Sequence, residues 1–323
     1  MPNNLNSRHP ILSQEYAIYT PPMDRMINTI GDWIDQRISG GHIYGPSRFG
    51  KSRAVKWHLR AVLEDRFKAT LPLVVWIRRG DSAVSEVEFW NALLRAAGYE
   101  FYNPEKPKAK AVAKFLFEQQ VVTLARLSRG NYVVLLIDEA HDMTLKEWKW
   151  LLGLQNELDN QGIRFSVISI GSYELQYQPD YLARTGNAHI AARFYACDTQ
   201  FHGIGSVAEL GYVLNGYDVN SEWPKLSGVS YTQYFAQDPF AQGMRLFNCK
   251  DDIWVAFGQL LPPGLQSKKG FKLEVPMLHI ACSVEQALRR LGSGEEWEKV
   301  TAFESWLQMV AKTGFTDHMR KIS

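Results

Sequence analysis

The chain has 323 residues, 46% hydrophobic and 22% charged, the balance of a soluble globular protein with room for one large or two ordinary domains. A net charge of only +2, with a pI near 8.3, excludes a protein that grips nucleic acid over its whole surface. Any DNA contact has to come from a local patch or from repetition of that patch in an oligomer. Three dispersed cysteines, Cys197, Cys249 and Cys282, exclude a disulfide framework and a C-x-x-C zinc site and point to a reducing, cytoplasmic setting; no apolar run reaches membrane-spanning length and the start carries no signal core.

Residues 1–22 are polar, punctuated by proline and closed by Thr20-Pro21-Pro22. They read as an arm lying on the surface or on a neighbour. Apolar positions Met26, Ile27, Ile30, Trp33, Ile34 and Ile38 then predict a helix over 23–38, stopped by Ser39-Gly40-Gly41. His42-Ile43-Tyr44 reads as a short buried strand. It feeds Gly45-Pro46-Ser47-Arg48-Phe49-Gly50-Lys51-Ser52, a full match to G-x-x-x-x-G-K-[ST]. A triphosphate concentrates negative charge, and a glycine-flanked loop can curl around it with several backbone N–H groups pointing inward. The helix predicted to begin at Lys51 adds its positive dipole end. Lys51 is expected at the β- and γ-phosphates and the Ser52 hydroxyl on Mg²⁺, so the cofactors implied are ATP and Mg²⁺.

Leu73–Ile77 is an apolar run of strand length, suited to burial on both faces. A helix over 84–97 follows, closed by Gly98. A turn or exposed loop over 103–110 leads into a helix from about 109 to 128. Lys106, Lys108, Lys110 and Lys114 lie in and after that loop without an intervening acid. Such a run is either a solvated face or, repeated around an oligomer, a surface that tracks DNA phosphates. Tyr132–Ile137 is a second apolar strand, and it ends in Asp138-Glu139. Asp138 is placed to hold Mg²⁺ through water and Glu139 to polarise the attacking water. A helix over 145–159 and a strand over 164–170 come next, the strand ending at Gly171-Ser172. Ile190-Ala-Ala-Arg193-Phe194 leads to a short strand expected over 195–197. After Gly203 the pattern changes to short helices over 207–214, 231–235, 251–261 and 284–291 and a longer one over 297–310, with a mobile loop expected from Pro262 to Gly270 around Lys268-Lys269.

These motifs in this order imply an α/β fold: a parallel P-loop sheet flanked by helices over residues 23–203, then a smaller helical lid and C-terminal extension over 204–323. One strand between the two motifs, with an acidic pair closing the second, resembles the ASCE division of P-loop ATPases, and the whole chain resembles an AAA+ ATPase. The resemblance implies that Ser172 occupies the sensor 1 position, where a plain turn serine is the rival reading. It also implies that Arg193 is the arginine finger, with Arg184 its competitor and an ordinary surface ion pair the alternative for either. No sensor 2 arginine is evident; Arg245 and Arg289 are the candidates. Ser47-Arg48 in the loop, Leu136-Ile-Asp-Glu-Ala-His141, Thr20-Pro-Pro-Met, Tyr231-Thr-Gln-Tyr-Phe and Gly243-Met-Arg-Leu are similar to the transposition regulators of the TnsC/TniB type. That likeness implies an ATP-dependent hexameric ring or filament on double-stranded DNA. Its expected partners are a DDE transposase and a TniQ-like target selector. An initiator or helicase loader built on the same ATPase, and a signalling NTPase that acts without DNA, are the alternatives.

Overall fold

The apolar runs Leu73–Ile77 and Tyr132–Asp138 form strands, and three more complete a single parallel sheet; Leu73–Ile77, expected to be buried on both faces, is instead an edge strand whose Ile77 is exposed. In chain order the strands are β1 (Gly40–Tyr44), β2 (Leu73–Ile77), β3 (Tyr132–Asp138), β4 (Arg164–Gly171) and β5 (Cys197–Gln200), arranged β2-β3-β4-β1-β5. Every residue of β3 is buried, as unbroken aliphatic sequence requires of a central strand covered on both faces. The register pairs Tyr44 with Gly171 and Asp138 with Ile170, so the carboxyl ends of β1, β4 and β3 share one rim. In open α/β sheets that rim is where ligands bind.

The computed structural model describes residues 6–80, 84–128, 130–267 and 270–322, and they divide into two compact units. One unit, Met26–Pro46 with His58–Phe201, holds the sheet and its flanking helices Glu86–Ala96, Lys110–Leu127, Leu145–Asn160, Glu174–Arg184 and Ala188–Phe194. Its core packs Trp90, Phe117, Trp148, Leu151 and Phe194 against Val133, Leu135, Ile137 and Val167. Two of these helices start with reciprocal capping boxes, Ser85 with Glu88 and Thr144 with Glu147, which satisfy backbone donors that a helix otherwise leaves open.

The other unit gathers the arm up to Arg25, the stretch Ser47–Trp57 and everything from His202 on. Beyond β5 the regular elements among its described residues are helices, apart from one antiparallel bridge between Ile204 and Val275. The arm is part of this core. Ile11 is buried, and His9 lies among the rings of Trp223, Tyr231, Tyr234 and Phe235 at 4.5–5.1 Å between centroids. Tyr16 donates to Glu285 (2.8 Å) and its hydroxyl also lies 3.0 Å from that of Tyr217.

Several expected bounds shift. The helix read over 23–38 is Pro21–Asp35, and Gly40 and Gly41, read as its stop, belong to β1. Arg193 and Phe194 end the helix Ala188–Phe194, and the strand expected over 195–197 lies at Cys197–Gln200. The helix over 297–310 is two, Trp297–Val300 and Phe303–Lys312; the one over 284–291 is longer, Met277–Gly292; and Glu174–Arg184 and Phe315–Ile322 were not foreseen. The loop expected after Pro262 contains a helical turn, Pro263–Gln266, while Lys268 and Lys269 lie outside the described residues.

Candidate functional site

The glycine-rich loop leaves β1 at Gly45, where a Cβ would stand 2.5 Å from the Phe201 carbonyl oxygen, so only glycine lets the two backbones approach. Arg48 and Gly50 take left-handed backbone conformations, φ 68° and 118°, and the turn they make delivers the chain into a helix whose first residue is Lys51. That helix runs through a π-helical turn, Val55–Leu59, into Arg60–Phe67; such bulges recur at functional sites. Lys51 is buried, at 8% exposure. An ammonium group in the first turn of a helix opposes the dipole, an arrangement that turns favourable when the loop holds a polyanion. Within the same unit the Leu278 N–H donates to the Arg48 carbonyl (3.3 Å), and Phe49 packs where a Cβ on Gly203 would stand 2.8 Å from its ring.

On the sheet rim, Asp138 is buried at the end of β3 and its Oδ1 accepts the Glu139 N–H (3.0 Å). Glu139 sits at φ 58° with its carboxylate half exposed. A non-glycine residue in that region costs on the order of 1 kcal/mol and persists where the surroundings dictate it. Sequence reasoning missed Arg78. Its N–H donates to the Asp138 carbonyl (2.8 Å), while its Nε forms an ion pair with Glu147 at 2.8 Å, both side chains being 4% exposed or less. A charged residue directly after an all-apolar strand, together with the T-x-x-E of a capping box, was the available signal. His141 was quoted only as part of a motif, yet it links two site residues: its Nδ1 accepts the Ser172 N–H (3.3 Å) and stands 3.5 Å from Glu139 Oε2.

The remaining assigned residues spread over the fold. The Ser172 hydroxyl donates to Glu174, and that bond holds the Glu174 carboxyl below the usual range. Arg193 donates from Nε to Gln155 (2.9 Å) and from Nη2 to Asn156 (3.1 Å) and Asp159 (2.7 Å), and its carbonyl accepts the Ser39 hydroxyl (2.9 Å). That contact puts it at the amino end of β1, the opposite rim from Gly45. Arg184 is exposed, and its side chain makes no hydrogen bond or ion pair among the described residues. Of the lysine run, Lys110 pairs with Glu86 (3.2 Å) and Lys114 with Glu157 (2.7 Å); Lys106 is exposed, and the backbone of Lys108 is held by Asn91. Arg245 stacks over Phe240 and donates to two carbonyls, and Arg289 donates to the Ile11 carbonyl (3.1 Å).

The donors present suit the group the fold implies. Mg²⁺ in nucleotide sites takes one or two protein oxygens beside phosphates and water, and Ser52 and Asp138 are donors of that kind. Among the described residues no cluster of three or more His, Cys, Asp or Glu forms a metal cage, and no helix is long and apolar enough to cross a membrane.

Residues 37–178 match the family model of an AAA domain, and no protein of curated function matches the chain. Among solved structures it is similar to the ORC2 protein of Aeropyrum pernix in its ADPNP–ADP complexes, at 11% identity and TM-score 0.56, covering 94% of this chain and 71% of that one. The Drosophila ORC bound to DNA matches at 14% identity and TM-score 0.51, covering 94% and 68%. Cdc6p of Pyrobaculum aerophilum matches at 13% and TM-score 0.43 over 66% of this chain, which spans only 53% of that protein's length. The chain thus has the fold expected of it: a P-loop AAA+ domain with a five-stranded parallel sheet flanked by helices, followed by a helical region.

Proposed function

We propose that this protein binds and hydrolyses ATP with Mg²⁺, assembles in an ATP-dependent manner on double-stranded DNA, and in that form regulates DNA transposition by linking target selection to a DDE transposase. The observation that carries the nucleotide reading is that the glycine-rich loop begins at Gly45, where β1 ends on the same sheet rim as β3 with its Asp138. The loop's backbone N–H groups and Lys51 would hold the phosphates, with Ser52 and Asp138 as oxygen donors for the metal ion. Bound Mg²⁺ neutralises charge on the phosphates; Glu139 accepts a hydrogen bond from the attacking water and orients it. An arginine from a neighbouring copy, Arg193 or Arg184, would stabilise the charge that develops on the transferred group. Ser172 would report its state as sensor 1. The transposition reading rests on the likeness of residues 15–250 to the TnsC/TniB regulators, with a TniQ-like selector as the second partner. An initiator or helicase-loader role is the rival, favoured by the likeness in fold to the Aeropyrum pernix ORC2 protein.

Among the four lysines, Lys106 and Lys108 are the better phosphate contacts, because Lys110 and Lys114 already face carboxylates. The test is assembly on duplex DNA with a non-hydrolysable ATP analogue, viewed by negative-stain microscopy and followed by capture of a transposase or of a replicative helicase. Wild-type protein is expected to form rings or filaments that retain the transposase. Lys51→Ala should lose nucleotide binding and assembly together. Reversing Lys106 and Lys108 to Glu should keep nucleotide binding, weaken DNA affinity for all sequences and flatten its salt dependence. Retention of the helicase alone selects the loader, and assembly indifferent to DNA removes both readings.

A further inference from the structure

We infer that the buried ion pair Arg78–Glu147 is a positioning device for Glu139, clamping the turn that carries it between β3 and the helix Leu145–Asn160. The inference deepens the hydrolysis reading above and rests on it.

The turn runs from Asp138 to Thr144, and a closed circuit of bonds joins its two ends. Ile77, the last residue of β2, pairs with Asp138, and the next N–H along, that of Arg78, donates to the Asp138 carbonyl (2.8 Å). The Arg78 side chain gives its Nε–H to Glu147 Oε1 (2.8 Å) and a second bond from Nη1 to the Arg79 carbonyl. The other Glu147 oxygen, Oε2, accepts the Thr144 N–H (2.7 Å). Inside the circuit the Asp142 N–H donates to the Glu139 carbonyl (3.2 Å) and the Met143 N–H to that of Ala140 (3.1 Å). The backbone of Glu139 is thereby fixed on both sides, which is what a residue held at φ 58° requires.

The burial of the pair goes beyond what the fold needs. Glu147 closes a capping box, but the Ser85–Glu88 box in the same unit does the same with both residues exposed. Taking a carboxylate and a guanidinium out of water costs solvation that their attraction offsets only in good geometry. Two apolar side chains of similar volume would usually fill such a site at no loss of stability. What apolar chains lack is direction. A planar guanidinium and a carboxylate set both the distance and the angle between the end of β2 and the start of the helix. The circuit passes that geometry on to the turn, and so to Glu139.

The test compares wild type, Arg78→Met/Glu147→Met, Arg78→Lys, Glu139→Gln and the two Met changes combined with Glu139→Gln, for thermal midpoint, ATP affinity and single-turnover hydrolysis. The Met pair removes both charges together, so its thermal midpoint should equal or exceed that of wild type. Its ATP affinity should stay within about twofold while hydrolysis slows by about 10- to 100-fold, the effect of misplacing a catalytic group by roughly an ångström. Arg78→Lys keeps the charges paired on a flexible stem, so it should fold and bind ATP normally yet hydrolyse it several-fold more slowly. Added to Glu139→Gln, the Met pair should cause no further loss, because both changes act through one carboxylate. A pair that serves the fold alone would tie hydrolysis to stability. Wild-type turnover in the stable Met pair or in Arg78→Lys therefore overturns the inference and leaves the function reading intact, and so does a further loss on top of Glu139→Gln. Should the Met pair not fold, Arg78→Lys decides alone. Wild-type protein that binds ATP without turning it over, or Glu139→Gln with full turnover, removes both.

Discussion

Arg193 commits Nε and Nη2 to Gln155, Asn156 and Asp159 of its own chain, whereas Arg184, nine positions earlier, stands exposed. These contacts are weak enough to give way to a partner across an interface. The ion pair with Asp159 is a third to a half exposed on both sides, and pairs of that kind contribute between about 0 and 1 kcal/mol. Developing phosphoryl charge in a water-poor interface is a far stronger partner. Arg193→Ala should therefore bind ATP and hydrolyse it poorly, and mixing it with Glu139→Gln should restore activity at intermediate ratios. Where a subunit lacking Arg193 receives the intact arginine of a neighbour lacking Glu139, one site is complete. A flat mixing curve, with Arg184→Ala giving the loss and the recovery instead, moves the finger to Arg184. At this scale the loop Gly45–Ser52 and the pair Asp138-Glu139 stood out as candidates because their patterns are written in consecutive residues. Arg78, Glu147 and the contacts of His141 were not, because each depends on a partner tens of residues away that only the folded chain supplies.

The elements show where periodicity reads well and where it misleads. An unbroken apolar run marked β3, a strand buried on both faces with no polar positions to confuse its limits; it marked β2 as well, although β2 lies at the sheet edge and leaves Ile77 exposed. Polar β5, Cys-Asp-Thr-Gln, sits at the edge of the sheet and carries no such signal. Glu174–Arg184 was hidden by an internal Pro179. Gly40 and Gly41 look like a helix stop; they are glycines because Phe194 backbone and the Trp33 ring stand where side chains would go. Gly216 is the same lesson inside a helix. It lies within Val207–Asp218, and a Cβ there would meet Ile18 Cγ2 at 2.4 Å, so the glycine is the seat of the arm. Gly216→Ala should gain up to about 1 kcal/mol in helix propensity yet lower stability overall by roughly 1–3 kcal/mol, through displacement of Ile18. Gly258→Ala, in a helix of the same unit with nothing within 4 Å of its Cβ, should instead raise stability by a few tenths to about 1 kcal/mol. Denaturant midpoints read both, and a stabilising Gly216→Ala would mean the arm is not seated there.

On the scale of the whole molecule, pH acts on stability through groups whose protonation the fold shifts, and two buried histidines of this kind lie in the helical unit. His9, enclosed by aromatic rings with its Nδ1 taken by the Ile11 N–H, is pushed down to about 4 by burial. His279 is also pushed down to about 4, by burial first and then by the charge of His318 and Arg48. Its Nδ1 meets Thr313 and its Nε2 meets His318, each at 2.8 Å, and His318 is itself lowered, by burial first and then by the charges of Arg48 and Lys321. An unfolded histidine takes its proton near 6.5, so between 6.5 and about 4 the unfolded chain binds protons that the folded unit refuses. The stability these residues contribute is complete above 6.5 and is lost as pH falls towards 4. The slope of unfolding free energy against pH should approach about two protons for the pair, each worth about 1.4 kcal/mol per pH unit. The decisive comparison is the pH dependence of unfolding from 7.5 to 4.5 for wild type and for His9→Gln/His279→Asn. The variant, starting less stable at neutral pH because two packed rings are gone, should show a slope smaller by most of those two protons. Parallel curves would mean that neither histidine is held neutral by the fold, and that the acid sensitivity of this unit comes from its carboxylates.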